Sequence, residues 1–189
     1  MSRINHKNEN NLEISSEKSI FQNQYLKLSQ VDTKVNGIAK QFFVTNYGRR
    51  SAMILHRNNS ILLVNQFRHL INRSSWEVPG GRVEDSESPE SGAIRECLEE
   101  SGILAQNPKL LINYEQGLDS LHNPTYVYHS NTFELSKKFE PNIAEVEKFD
   151  WIEIADCIEM IKTKEILDSL TIISILSFNL FCLKNGIQK

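Results

Sequence analysis

Gly81-Arg82-Val83-Glu84-Asp85-Ser86-Glu87-Ser88-Pro89-Glu90-Ser91-Gly92-Ala93-Ile94-Arg95-Glu96-Cys97-Leu98-Glu99-Glu100-Ser101-Gly102-Ile103 is the stretch on which the reading of the chain turns. Ser88 suits a helix N-cap, and Pro89 suits the first helical position, where its missing N–H costs nothing. Gly102 is placed to end the helix in a left-handed conformation. The spacing therefore predicts a helix over Pro89–Ser101. At 3.6 residues per turn Ile94, Cys97 and Leu98 share an inward face, and Glu96, Glu99 and Glu100 an outward one. An ordinary solvated helix intersperses Lys with Glu, because like charges four residues apart repel. This one has no Lys, and its only basic residue is Arg95, one turn before Glu99. One arginine cannot neutralise three glutamates, whereas a hard divalent cation such as Mg²⁺ takes carboxylate oxygens. The face reads as a metal site, with a solvated surface as the alternative.

Around the helix lie strand signals. Asn36-Gly37 between Val31–Val35 and Ile38–Val44 marks a hairpin, since both turn residues tolerate positive φ. A small antiparallel sheet is expected over residues 20–47. Ala52–Leu55 and Ile61–Asn65 flank a second turn at Arg57-Asn58-Asn59, and Trp76-Glu77-Val78 precedes the breaker Pro79-Gly80-Gly81. Leu110–Glu115, Thr125–Phe133 and Phe149–Ile154 read as strands, and Ala155–Lys162 and Leu167–Leu183 as helices. Strands on both sides of a central helix indicate a mixed α/β sandwich.

Composition narrows the function classes. A chain of 189 residues with 40% hydrophobic and 24% charged residues suits one soluble domain, or one domain with a small appendage. The net charge of −3 leaves no basic footprint for nucleic acid. Cys97, Cys157 and Cys182 are odd in number and lack CxxC spacing, so neither a disulfide framework nor a zinc site is suggested. Met1–Ser19 is polar and Asn-rich without an apolar signal core, and Leu170–Leu183 is interrupted by Ser174, Ser177 and Asn179. The expectation is a cytoplasmic protein without a membrane partner. Residues 1–14 are expected to be a disordered tail.

Gly81, five residues, Glu87, seven residues, then Arg95-Glu96-Cys97-Leu98-Glu99-Glu100-Ser101-Gly102-Ile103 resembles a complete Nudix box. Cys97 stands where the family has an aliphatic residue and should pack as a small hydrophobe. The resemblance implies a Nudix α/β/α sandwich with a mixed sheet over residues 48–189, preceded by a small N-terminal antiparallel β-sheet over residues 15–47. It implies that Glu96, Glu99 and Glu100 bind Mg²⁺ or Mn²⁺, with the Gly80 carbonyl as a further ligand. Glu87 and Arg95 would support the loop and the carboxylates, and Gly81 and Gly102 complete the box.

Beyond the box, the chain is similar to the branch containing ADP-ribose pyrophosphatases and nucleotide-sugar hydrolases. The runs carrying this are Val64-Asn65-Gln66-Phe67-Arg68, Trp76-Glu77-Val78-Pro79-Gly80-Gly81, and Lys164-Glu165-Ile166-Leu167-Asp168 with Thr171. By this resemblance Arg68 would contact the pyrophosphate; otherwise it is an exposed arginine at a strand end. Glu145 would be the general base and Glu147 a metal ligand, or both belong to a solvated charge run. The N-terminal strands would exchange contacts in a homodimer. The implied reaction splits a nucleoside diphosphate sugar, ADP-ribose-like, into nucleoside monophosphate and sugar phosphate. The Ser-Pro-Gly setting common after the box in ADP-ribose hydrolases is replaced by Gln116-Gly117-Leu118-Asp119, which leaves ADP-ribose and GDP-sugars both open. A nucleoside triphosphate or dinucleoside polyphosphate hydrolase and a catalytically silent nucleotide-sugar sensor are the other readings.

Overall fold

Residues 12–136 and 146–186, apart from the Glu147 side chain, are described in a computed structural model. The described residues form two compact units, one within residues 1–48 and 115–123, the other within residues 49–114 and 124–189.

The first unit grows from β1 (Leu12–Gln22), β2 (Lys27–Val35) and β3 (Ile38–Asn46), paired antiparallel in that order. Asn36 and Gly37 both have positive φ, 51° and 79°, the geometry that matches a two-residue turn to strand twist. At the other end the Asn23 carboxamide accepts from the N–H groups of Tyr25 and Leu26, at 2.8 and 2.9 Å, closing the β1–β2 turn. β1 starts at Leu12, inside the segment expected to be tail; residues 1–11 lie outside the described residues.

The second unit contains β4 (Arg50–Arg57), β5 (Ser60–Arg68), β6 (Arg73–Glu77), β7 (Gly80–Arg82), α1 (Pro89–Ser101), β8 (Ile103–Gln106) and β9 (Lys109–Tyr114). The two-residue β10 (Leu121–His122) belongs to the first unit, where it pairs parallel to β3, so that sheet is not wholly antiparallel. The second unit continues with β11 (Thr125–Ser130), β12 (Thr132–Leu135), β13 (Val146–Glu153), α2 (Ile154–Lys162) and α3 (Ser169–Asn185). Its main sheet runs β13-β5-β4-β11-β9, with β6 beside β5 and β7 beside β4. β4 and β11 are parallel and the other pairs antiparallel, giving the mixed sheet. Thr125–Phe133, expected as one strand, splits at Asn131; β12 leaves the sheet to pair with β8.

Both faces of β4 and β5 are covered. Ala52, Ile54, Ile61 and Leu63 pack with Ile154, Cys157, Leu170, Ile175 and Phe178 from the α2–α3 side. Met53, Leu55 and Leu62 pack with Ala93 and Cys97 of α1 on the other. Continuous apolar runs such as Ala52–Leu55 follow from this, since a strand buried on both faces has no polar face to alternate with. The layers are helix, mixed sheet, helix.

Candidate active site

α1 keeps the limits and caps read from its sequence. The Ser88 side chain accepts from Ser91 N, and Gly102, at φ 72°, donates its N–H to Leu98 O. Gly92 lies so close to β4 that a Cβ there would stand 3.0 Å from both Glu87 Oε1 and Ser51 Oγ. This close approach brings the carboxylate edge of α1 against β7 and β5.

The outward placement of that edge needs correction. Glu99 is exposed, at 57% of its side chain, but Glu96 retains only 16%. Burial raises the Glu96 carboxyl above its ordinary pKa in spite of Arg95, and pushes Glu100 up to about 7. The cause is the Gly80-Gly81 backbone. Gly80 N donates to Glu100 Oε2 at 3.0 Å, and a Cβ on Gly81 would fall onto the Glu96 carboxylate. Gly80 has no room either, since its Cβ would stand 2.6 Å from Ser51 O. The other Glu100 oxygen, Oε1, accepts from Gln66 Nε2 on β5.

Arg95 organises the rest of the box. Its Nη2 donates to Glu87 Oε1 at 2.8 Å and to the Arg82 carbonyl at 3.0 Å, and its Nη1 reaches Glu96 Oε1 and Glu99 Oε2, both at 2.9 Å. Arg95 is thereby held more firmly protonated, and the Glu87 carboxyl well below its usual range, first by Arg95. Glu87 also accepts from Glu84 N at 2.9 Å, while Arg49 donates to the carbonyls of Glu84 and Glu87. Glu87 and Arg49 thus shape the loop entering α1.

Arg68 sits at the end of β5 with its Nε and Nη2 on Glu77, at 2.8 and 2.5 Å. Glu77 raises its pKa, with smaller help from Asp168 and Glu100. Arg68 is therefore neither a lone exposed arginine nor an empty fork. One edge is tied to a buried carboxylate while the side chain stays 42% exposed.

Several expected residues fall elsewhere. Glu145 and the side chain of Glu147 lie outside the described residues. His129 near the loop after the box lies away from the carboxylates, its ring tilted against those of His56, Phe178 and Phe181. Gln66, Glu77 and Arg49 carried no assigned role in the sequence. The available signal was the polar end of β5, Asn65, Gln66 and Arg68, following the apolar run Ile61–Val64.

No three His, Cys, Asp or Glu side chains among the described residues come close enough together to hold a metal. The donor chemistry nonetheless fits a hard cation. Glu96 and Glu100 are desolvated oxygen donors, Glu96 adds to the cost of ionising Glu100, and neutralising that charge is what a divalent ion would do.

Residues 47–170 match the NUDIX domain model, and the chain belongs to the Nudix family. Diphosphoinositol polyphosphate phosphohydrolase 3-beta of Bos taurus is 34% identical over 106 residues, 56% of this chain and 62% of that protein. The chain thus spans about three fifths of the length of such relatives. The methanol dehydrogenase activator of Bacillus methanolicus is 30% identical over 161 residues, 82% of this chain and 86% of the relative. Among solved structures, a protein described as an ADP compounds hydrolase shares the fold with a TM-score of 0.79, covering 93% of this chain and 96% of its own at 10% identity. Among the described residues no helix is long and apolar enough to cross a membrane.

Proposed function

We propose that the chain is a divalent-metal-dependent pyrophosphohydrolase that splits a nucleoside diphosphate sugar, ADP-ribose-like, into nucleoside monophosphate and sugar phosphate. The observation carrying this reading is the pair Glu96 and Glu100, desolvated and pressed against Gly81 and Gly80, on the helix that also holds Glu99. Those three carboxylates, with the Gly80 carbonyl and Glu147, would hold Mg²⁺ or Mn²⁺. A bound ion of this kind polarises phosphoryl oxygens and lowers the pKa of attacking water. Arg95 keeps Glu96 and Glu99 in place, and Glu145 would take the proton from water as general base. Arg68, partly exposed and anchored by Glu77, would present its remaining edge to the pyrophosphate.

A diphosphoinositol polyphosphate is the second reading, favoured by relatives such as the Bos taurus protein. A net charge of −3 argues against so polyanionic a substrate, because a fixed negative field repels it. The proposal includes a homodimer formed through the N-terminal sheet and a cytoplasmic location, the latter supported by three buried free cysteines.

The test is a panel of ADP-ribose, GDP-sugars, nucleoside triphosphates, dinucleoside polyphosphates and diphosphoinositol polyphosphates, each with Mg²⁺ and Mn²⁺, with products resolved chromatographically. Release of nucleoside monophosphate from the diphosphate sugars supports the proposal. Turnover of triphosphates or inositol substrates alone overturns its substrate, and no turnover with measurable nucleotide-sugar binding marks a silent sensor.

A further inference from the structure

Of the three glutamates at the end of α1, two are held by Arg95 and one is not. Glu96 and Glu99 each accept from Arg95 Nη1, whereas Glu100 accepts from Gly80 N and from Gln66 Nε2. Gly80 contributes only backbone, so Gln66 supplies the one side-chain hydrogen bond observed at Glu100 among the described residues. Each carboxylate oxygen receives one donor, from two different strands, which fixes the plane of the group and leaves lone pairs on both oxygens.

Gln66 is built for rigidity. Its backbone lies between two neighbours, pairing with Ser75 of β6 and Val146 of β13, and the residue is only 5% exposed. Period-2 alternation puts Val64, Gln66 and Arg68 on one face of β5, beside Glu77 and Ser75 of β6. Beyond the apolar run Ile61–Val64 and the polar Asn65, the buried carboxamide of Gln66 needs a partner, and Glu100, 34 residues away in sequence, is that partner.

We infer that Gln66 is a positioning residue that orients Glu100 for metal binding, doing for this carboxylate what Arg95 does for the other two. The inference rests on the reading of the α1 face as a metal site. An amide suits the place better than a second arginine. It fixes the carboxylate without adding a cation that would compete with the metal for the same oxygens.

Mn²⁺ binding to the full chain without substrate, read from the loss of the free-ion electron paramagnetic resonance signal, tests this. The variants are Gln66→Met, which keeps length and volume but removes the donor, Glu100→Gln, and the two combined. Glu100→Gln should weaken Mn²⁺ binding more than tenfold, and Gln66→Met about tenfold, the loss typical of a group that orients a ligand. The double variant should be no weaker than Glu100→Gln alone, because Gln66 acts through Glu100. A purely structural role would instead add its cost in the double variant. If Gln66→Met does not fold, Gln66→Asn, whose amide is one methylene too short, carries the same comparison. Binding within twofold of wild type in the Gln66 variant, or additive losses, overturns the inference while leaving the metal face standing. Unchanged binding in Glu100→Gln overturns both.

Discussion

The two units solve the problem of covering a sheet in opposite ways. In the second, Ala52–Leu55 of β4 and Ile61–Val64 of β5 have no exposed surface, because helices close both faces. In the first, every residue of β1 is exposed, and so are Ile38 and Phe43 on β3. Stability comes from removing apolar area from water, so one sheet is a finished core and the other still shows water the side chains that could stabilise it. The carboxylates belong to the finished unit, where a packed scaffold holds them in place.

The largest expected effect sits on that scaffold. If Glu100 is the metal ligand proposed, Glu100→Gln should lower turnover by roughly 100-fold or more at saturating Mg²⁺, since it removes an oxygen donor where charge must be stabilised. Its metal-free unfolding midpoint should not fall, because an amide is easier to bury than a carboxylate whose pKa burial has pushed up to about 7. Steady-state hydrolysis beside thermal unfolding checks both, and near-wild-type turnover would remove Glu100 from the site.

The next test bears on the scaffold itself. Leu63→Ala in β5 should cost about 2–5 kcal/mol in denaturant unfolding, the range for a fully buried aliphatic side chain. A loss under about 1 kcal/mol would mean that this core is looser than its burial indicates.

How much of this was legible beforehand differs along the chain. The limits of α1 were readable because Ser88, Pro89 and Gly102 act through backbone groups one turn away. The Asn36-Gly37 hairpin was readable for the same local reason. What escaped was long-range. The burial of Glu96 and Glu100 depends on the approach of Gly80-Gly81, and helical periodicity alone turned that edge to solvent. Gln66 meets Glu100 and Arg68 meets Glu77 only because β5, β6 and α1 converge, which no local pattern encodes. The departure of β12 to pair with β8 was hidden because Thr125–Phe133 alternates like one strand.

His56 gives a pH test confined to the finished unit. Burial, with His129 adding to it, lowers its pKa from 6.5 to about 4. The unfolded chain therefore takes up a proton below about 6.5 that the folded chain refuses until about 4. The stability from a neutral His56 is full above 6.5 and is lost as pH falls through that window, by about 2–3 kcal/mol. Comparing wild type with His56→Leu at pH 7 and pH 4 cancels the titrations of groups that do not interact with His56. The gap in unfolding free energy should shift by that amount toward the variant on acidification, and a constant gap would refute the assignment.

The smallest effect on the folded chain, and the sharpest contrast with Leu63, is expected on the open sheet. The cross-strand row Leu12–Val35–Ile38 lies on one face, and Leu12, Ile14 and Ile38 are 59%, 67% and 67% exposed. Changing such residues to Ser in an isolated chain removes little burial, so each should alter stability by less than about 0.5 kcal/mol. If a second copy covers this face, the same changes strike an apolar contact at the centre of an interface, where truncation is costly. Light scattering at micromolar concentration should then give about twice 21.8 kDa for the intact chain and the single mass for Leu12→Ser/Ile14→Ser/Ile38→Ser. An intact chain that scatters as a monomer would overturn the dimer. A triple variant that stays dimeric would move the interface off this face, and the exposed row would then belong to a solvated sheet kept in register by its hairpin turns, its backbone pairing and polar cross-strand contacts such as Ser16–Asp32 and Lys27–Glu17.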